Sequence, residues 1–407
     1  MARTYVWPKG HWDWHFKVVH KHGLRVGDLC FVGGQVDVDQ KGVAQHAGDL
    51  HTQIDVVTRH IGTVLGHLGA DLDDVTKLVM FYVNDGKTDE MAALKRLRRH
   101  FKGPVPPAVM PVPLPVLAYP GMMVEIEAIA MRKESGARMA RTPSNPKGHW
   151  ASPFSHGIRC GEMIWVGAQD PRDAEGHVRA AGDPVEQAKL NIENVRRVLA
   201  GFGAELDDVC RINSFFVGHG TAKDWARAAD VRAHAFKWPG PVGTGLPVPA
   251  LFPNGLTIRQ EACAMLAVDG AHLPRESVRP TDHWDWPIPV NFQQGVKCGN
   301  VIFVGGQVAL DGKGQGKAEA PGDLVKQTHL VMNYIRKVLA AYGATMDDAV
   351  KVNAFYCGGA SAEKLKANLA IRSSCFTEPG PTTTGIPLAH IAAEGLEIEV
   401  EAYAILD

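Results

Sequence analysis

The 407-residue chain has almost no net charge, with 43 Lys and Arg against 44 Asp and Glu for a formal −1. That balance supplies no long-range attraction to nucleic acid or to an anionic membrane, so neither partner is expected. Cysteine is sparse: the seven (Cys30, Cys160, Cys210, Cys263, Cys298, Cys357, Cys375) contain no C-x-x-C pair. An odd number without paired spacing argues against a disulfide framework and for a reducing, cytoplasmic setting. The stretch from Met1 to Trp14 has no apolar h-region, so no secretory signal is expected. The eighteen histidines, with a cluster at His15, His20 and His22, show no H-E-x-x-H or zinc-type Cys/His spacing, and no metal is expected. Neither a phosphate loop nor a Gly-x-Ser-x-Gly elbow is present, and no cofactor is expected. The charge-free run Val105 to Val124 holds six prolines (Pro106, Pro107, Pro111, Pro113, Pro115, Pro120), which a membrane-spanning helix would not tolerate. It reads as loop and extended strand.

What the chain has is a soluble composition, 45% apolar and 21% charged, and an internal repeat. Phe31-Val-Gly-Gly-Gln35 returns as Trp165-Val-Gly-Ala-Gln169 and Phe303-Val-Gly-Gly-Gln307. Gly69-Ala-Asp-Leu-Asp-Asp74 matches Gly203-Ala-Glu-Leu-Asp-Asp208 and Gly343-Ala-Thr-Met-Asp-Asp348. Val124-Glu-Ile-Glu-Ala128, Ile258-Arg-Gln-Glu-Ala262 and Ile398-Glu-Val-Glu-Ala402 close the series. Three blocks in one order divide the chain into units of about 1–135, 140–268 and 275–407. Between them, 133–148 and 269–281 have the Pro, Ser, Gly and charge of linkers.

Each unit opens with short apolar runs that end at glycine (Leu29–Val32, Met163–Val166, Val301–Val304), as buried strands do. A turn follows at Gly42, Gly176 and Gly314, then a helix whose stripe in unit 1 is Ile54, Val57, Ile61, Val64, Leu65 and Leu68. Gly69, Gly203 and Gly343 stand where a left-handed residue ends a helix. A strand, a second helix ending near Phe101, Phe236 and Phe376, and two last strands complete the order β-β-α-β-α-β-β. A small sheet with helices on one face must bury the other. Three units achieve this around a pseudo-threefold axis, as a barrel with the helices outside.

These blocks resemble the RidA/YjgF family: a strand ending in Ser/Gly-Gly-Gln, a Gly-Ala-x-x-x-Asp-Val junction, and a Val-Glu-Ile-Glu-Ala strand. Ser152-Pro-Phe-Ser-His-Gly-Ile158 is similar to the family's opening Pro-Tyr-Ser motif. The resemblance implies an α+β, chorismate-mutase-like fold and a single-chain counterpart of a homotrimer with interface clefts. The assembly would be self-contained, a monomer or dimer. It also implies hydrolysis of imines or enamines with release of ammonia, an arginine clamping the substrate carboxylate and the second strand glutamate orienting water. Glu127, Glu261 and Glu401 match that glutamate. The arginine's positions hold Val109, Gly243 and Thr383, so the carboxylate clamp is missing from all three units.

Read from the residues alone, the paired carboxylates at i and i+2 share one strand face, either solvated or lining a cleft where burial tunes a general base. Thr244 and Gly245, with Thr384 and Gly385, offer hydroxyls and backbone N–H groups to a ligand, or form a tight turn. Asn213 and Asn353 place an amide inside an apolar strand, which requires a partner in the core or the cleft. His156 and His390 are further candidates. The opening His11-Trp-Asp-Trp14 recurs as His283-Trp-Asp-Trp286 and shortens to His149-Trp150; it reads first as a packing anchor and otherwise as a cleft wall. The function expected is a cofactor-independent hydrolase or deaminase acting on a small imine, enamine or amide-like molecule at Glu261 and Glu401. The alternative is a non-catalytic small-molecule binding or regulatory protein. RNA cleavage fits least with the charge balance.

Overall fold

A computed structural model describes residues 2–84, 86 and 88–407. In the first third, strands β1 (Arg3–Val6), β2 (Gly23–Val26) and β3 (Leu29–Gln35) precede helix α1 (Leu50–His67). Strand β4 (Val75–Val83), helix α2 (Glu90–Arg98) and strands β5 (Ala108–Leu114) and β6 (Val124–Met131) follow. The second third repeats this with β7 (Arg141–Ser144), β8 (Gly157–Cys160), β9 (Met163–Gln169), α3 (Pro184–Ala200), β10 (Val209–Val217), α4 (Ala222–His234), β11 (Val242–Val248) and β12 (Ile258–Met265). The last third has β13 (Arg275–Val278), β14 (Gly295–Cys298), β15 (Val301–Val308), α5 (Leu324–Ala340), β16 (Ala349–Cys357), α6 (Ala362–Ser374), β17 (Thr382–Leu388) and β18 (Ile398–Ile405). Each third makes one six-stranded sheet, ordered β1-β2-β3-β6-β4-β5 in the first and equivalently in the others. All neighbours are antiparallel except β4–β5, β10–β11 and β16–β17.

Two features differ from the order read from sequence. Each sheet has one strand more: β7 and β13 fall in segments with linker composition. These are four-residue edge strands, and Arg-Thr-Pro-Ser in β7 has no apolar alternation; an edge position tolerates its proline. The sheets also do not close into one hydrogen-bonded barrel. Each meets the next through a single bridge, Ala108 to Ser155, Val242 to Gln293 and Lys21 to Thr382. A few further backbone bonds, such as Gly240 N–H to the Asn291 carbonyl and Gly380 N–H to the Val19 carbonyl, and side-chain contacts make up the rest of the seams.

The local reasons for the elements are those the sequence carries. The α1 stripe is buried throughout, Asp49 caps its start by accepting from the Thr52 N–H, and Gly69 ends it at φ +75. Opposite the helices, the sheet faces meet on the pseudo-threefold axis. Phe81, Phe215 and Phe355, one from each unit, stand with ring centroids 6.1–6.3 Å apart. The first glycine of each Gly-Gly/Ala-Gln block serves the seam. A Cβ on Gly33, Gly167 or Gly305 would lie 2.7, 3.0 or 3.1 Å from a carbonyl oxygen of the neighbouring unit's strand. Gly33→Ala is therefore expected to cost roughly 1–3 kcal/mol by overpacking, measured as a lower denaturant midpoint at unchanged slope. No helix among the described residues is long and apolar enough to cross a membrane.

Candidate functional site

Alternation along β6 sends Val124, Ile126 and Ala128 toward the helices and Glu125 and Glu127 toward the neighbouring units. The shared face is real, and it is buried rather than solvated. The second glutamates lie deepest: Glu127, Glu261 and Glu401 are 5, 4 and 2% exposed. Each is taken by a cation from another unit. Lys77 Nζ lies 2.7 Å from Glu261, Lys351 Nζ lies 3.0 Å from Glu127, and Arg211 pairs with Glu401. The result is a cyclic set of ion pairs, unit 1 to 2, 2 to 3 and 3 to 1.

Four residues expected at a ligand complete this set. Thr384 Oγ1 donates to Glu127 at 2.6 Å and Thr244 Oγ1 to Glu401 at 2.7 Å. Asn353 bridges Glu127 and Glu401, and Asn213 bridges Glu261 and Glu401. Burial raises Glu127, but the charges of Lys351 and Lys77 outweigh it and hold the carboxyl below its ordinary range. Burial prevails at Glu261 and raises it against the pull of Lys77. The arrangement locks three units together; water-orienting chemistry at these glutamates would have to break an ion pair first.

The first glutamates behave otherwise. Glu399 faces a cavity of about 80 Å³ between units 2 and 3, and Glu125 faces one of about 30 Å³ between units 3 and 1. Neither has an ion-pair partner among the described residues. Burial, reinforced by the charge of the adjacent Glu401, pushes Glu399 up to about 8, opposed by the Gly245 N–H. Glu125 is likewise pushed up to about 8 by burial and Glu127, opposed by Lys351 and the Gly385 N–H. Room for both carboxyls comes from the second glycine of the Gly-Gly-Gln block. A Cβ on Gly34 or Gly306 would sit 1.9 Å from a carboxylate oxygen.

Across each cavity stands an arginine that sequence reasoning missed. Arg232 on α4 lines the first and Arg372 on α6 the second, 5 and 0% exposed. Arg372 donates to Thr383 Oγ1 at 2.8 Å and Asn368 Oδ1 at 3.0 Å, and its Nη2 has no partner among the described residues. Arg232 donates to Ser214 Oγ and to the Ala228 carbonyl. Neither guanidinium meets a carboxylate among the described residues, and burial brings both down to about 10. Thr383, where the resemblance would place an arginine, accepts a hydrogen bond from Arg372 on the helix.

The third interface, between units 1 and 2, is built differently. Arg259 occupies the position of Glu125 and Glu399 and fills the space itself. It pairs with Glu90 at 2.8 Å and Asp170 at 2.8 Å and donates to the carbonyls of Pro111 and Phe252. Its surroundings change with it. Gly245 and Gly385 give way to Pro111, which has no N–H to offer a carboxylate; Gly34 and Gly306 give way to Ala168; and Leu97 takes the buried helix position of Arg232 and Arg372. Four positions change together within one chain.

The remaining candidates separate. Gly245 and Thr244 line the larger cavity and Gly385 the smaller. His156 is buried against the Trp150 carbonyl at 2.9 Å, away from both, and burial lowers its pKa. His390 is exposed in an outer groove with His219. The tryptophan openings do two jobs. Trp12 and Trp284 anchor by donating to Gln35 and Gln307 at 3.0 and 3.2 Å, and together with Trp14 and Trp286 they wall the two cavities. In unit 2, Trp150 lies instead under Arg172, 3.5 Å from its ring centre.

Comparison with known proteins agrees with this construction. The profile of the family described as endoribonuclease L-PSP matches residues 18–132, 147–265 and 287–406. A RutC family protein of Pyrococcus abyssi is 32% identical over 112 residues, 28% of this chain and 85% of that protein. One from Pyrococcus horikoshii is 29% identical over 119 residues, 29% of this chain and 90% of that protein. Among solved structures, a chorismatase covers 82% of this chain and 93% of its own, with a TM-score of 0.54 at 13% identity, a likeness of fold. The chain belongs to the endoribonuclease L-PSP family, the RidA/YjgF group, and carries its domain three times in one polypeptide.

Proposed function

We propose that the protein is a cofactor-independent hydrolase that deaminates a small imine or enamine, and that it works at two of its three interfaces. The observation that carries this reading is the pair Glu399 and Glu125: buried carboxyls in no ion pair among the described residues, raised to about 8, each facing a cavity. An ordinary glutamate has no proton to give at neutral pH; one raised this far does. Glu399 donates its proton to the imine nitrogen as water adds to the carbon, and its carboxylate, steadied by the Gly245 N–H, recovers a proton from the added water. A second passage, from Glu399 to the amine nitrogen and from the hydroxyl back to Glu399, breaks the C–N bond. Ammonia leaves and the ketone remains. Glu261, Glu401 and Glu127 hold the frame in which this happens.

The test is ammonia release from a 2-imino acid generated in situ by an amino-acid oxidase. A Glu399→Gln, Glu125→Gln double variant is expected to lose at least about a hundredfold in rate, because the amide cannot shuttle the proton. Wild-type turnover in that variant would remove the mechanism. Ligand binding without turnover in the unaltered protein would leave a binding protein.

A further inference from the structure

We infer that the cavity between units 2 and 3 is a site for a ring-bearing monocarboxylic acid, anchored by Arg232 and enclosed by aromatic walls. The inference deepens the reading of Glu399 as the proton carrier and names the class of molecule that this site takes. Four observations bear on it. Arg232 is buried, and among the described residues its Nη2 donates to nothing and no carboxylate pairs with it. A buried guanidinium in this state is stabilised by an incoming anion, and a carboxylate matches its planar fork. The polar groups (Arg232, Thr244, Glu399) face walls made by Trp225, Trp286 and Phe292. This is the layout of a site that binds a flat apolar body with one charged end.

The fourth observation is the contrast with the sister cavity. Where units 2 and 3 bring Gly243 and Trp225 to the larger space, units 3 and 1 bring Thr383 and Leu365 to the smaller. Thr383 takes one donor of Arg372. At Arg232 that donor goes to Ser214 instead, away from the strand position of Gly243, so glycine at 243 leaves the space open and the exchange of Leu for Trp supplies a face for a ring. The two cavities share an acid and an arginine but differ in the body they accommodate.

The experiment is equilibrium binding of benzoate, benzamide and acetate to the full chain, by calorimetry, in an Arg372→Leu background so that one cavity reports. Benzoate is expected to bind at least about tenfold more tightly than either benzamide, which lacks the charge, or acetate, which lacks the ring. Arg232→Leu, which installs the residue found at Leu97, is expected to weaken benzoate by about 10–100-fold and to leave benzamide unmoved. Trp225→Leu is expected to weaken benzoate while acetate is unchanged. Circular dichroism confirms the fold of each variant, and the comparison of three ligands on unaltered protein stands even if a variant does not fold. Benzamide binding as well as benzoate, or acetate as well as benzoate, overturns the inference. Binding is read without turnover, so loss of the acid role of Glu399 shows in ammonia release alone and failure of the anchor shows here alone.

Discussion

Arg259→Ala is expected to lower the free energy of unfolding by roughly 3–5 kcal/mol, the cost of removing one partner from a buried ion network. Arg259 is fully buried, with Glu90 at 2.8 and 2.9 Å and Asp170 at 2.8 and 3.1 Å. Its loss strands two carboxylates. Asp170 keeps Arg172, and among the described residues Glu90 keeps the Tyr82 hydroxyl at 2.6 Å, so the uncompensated charge falls on Glu90. Arg259→Glu, which writes the residue of units 1 and 3 into unit 2, is expected to do at least as much damage, since it sets a third carboxyl beside those two. Arg259→Ala combined with Glu90→Leu should recover part of the loss, because the stranded charge is gone. Urea unfolding with unchanged slope measures all three. A loss below about 1 kcal/mol for Arg259→Ala would mean that apolar packing, not the ion network, closes this interface.

This interface explains something that a trimer of identical chains cannot do. In such a trimer one substitution appears at every interface, so a residue suited to a closed interface would close them all. Fusion lets Arg259, Pro111, Ala168 and Leu97 gather at one interface while Glu399, Gly245, Gly306 and Arg232 stay at another. One interface is then free to be structural and two remain open.

Much of the frame was legible because it rests on periodicity. The stripe Ile54, Val57, Ile61, Val64 and Leu65 and the glycines at 69, 203 and 343 dictate helix and stop by local physics alone. The edge strands β1, β7 and β13 were not legible, since four residues at a sheet edge need no pattern. The site was half legible for a different reason. Alternation places Glu125 and Glu127 on one face but is silent on which lies over a cavity. Constancy at the second position suggested the chemical role; in the structure it also serves the ion-pair ring, to which every unit supplies a carboxylate. Variation at the first position, Glu125, Arg259 and Glu399, was the signal of the clefts. Arg232 and Arg372 were missed because charge within an amphipathic helix ordinarily marks its wet face, whereas Ala228, Ala229 and Ala233 around Arg232 are buried. Aligning the three helices on Phe101, Phe236 and Phe376 would have shown Leu97, Arg232 and Arg372 at one position.

The ring gives the second large effect. Lys351→Met is expected to cost roughly 3–5 kcal/mol near pH 8, because it leaves Glu127 buried without its ion-pair partner and with the more distant charge of Lys77 alone. The pH dependence separates this from a mere packing loss. With Lys351 present, Glu127 is held below the ordinary glutamate value despite its burial. Its contribution to stability is therefore complete above the unfolded value near 4.5 and is lost as pH falls through the lower folded value. Without Lys351, burial prevails and the folded value moves above the unfolded one. The group then favours the fold at low pH and penalises it as pH rises through the raised value. The variant's native state holds about one more proton across that window, so the gap between wild type and variant should widen with pH at up to about 1.4 kcal/mol per unit. Unfolding curves at pH 5, 6.5 and 8 read this directly. A gap that stays constant with pH would show that Glu127 does not depend on Lys351 for its charge, and that the three units are held by the phenylalanine cluster and the seams rather than by their shared ring of ions.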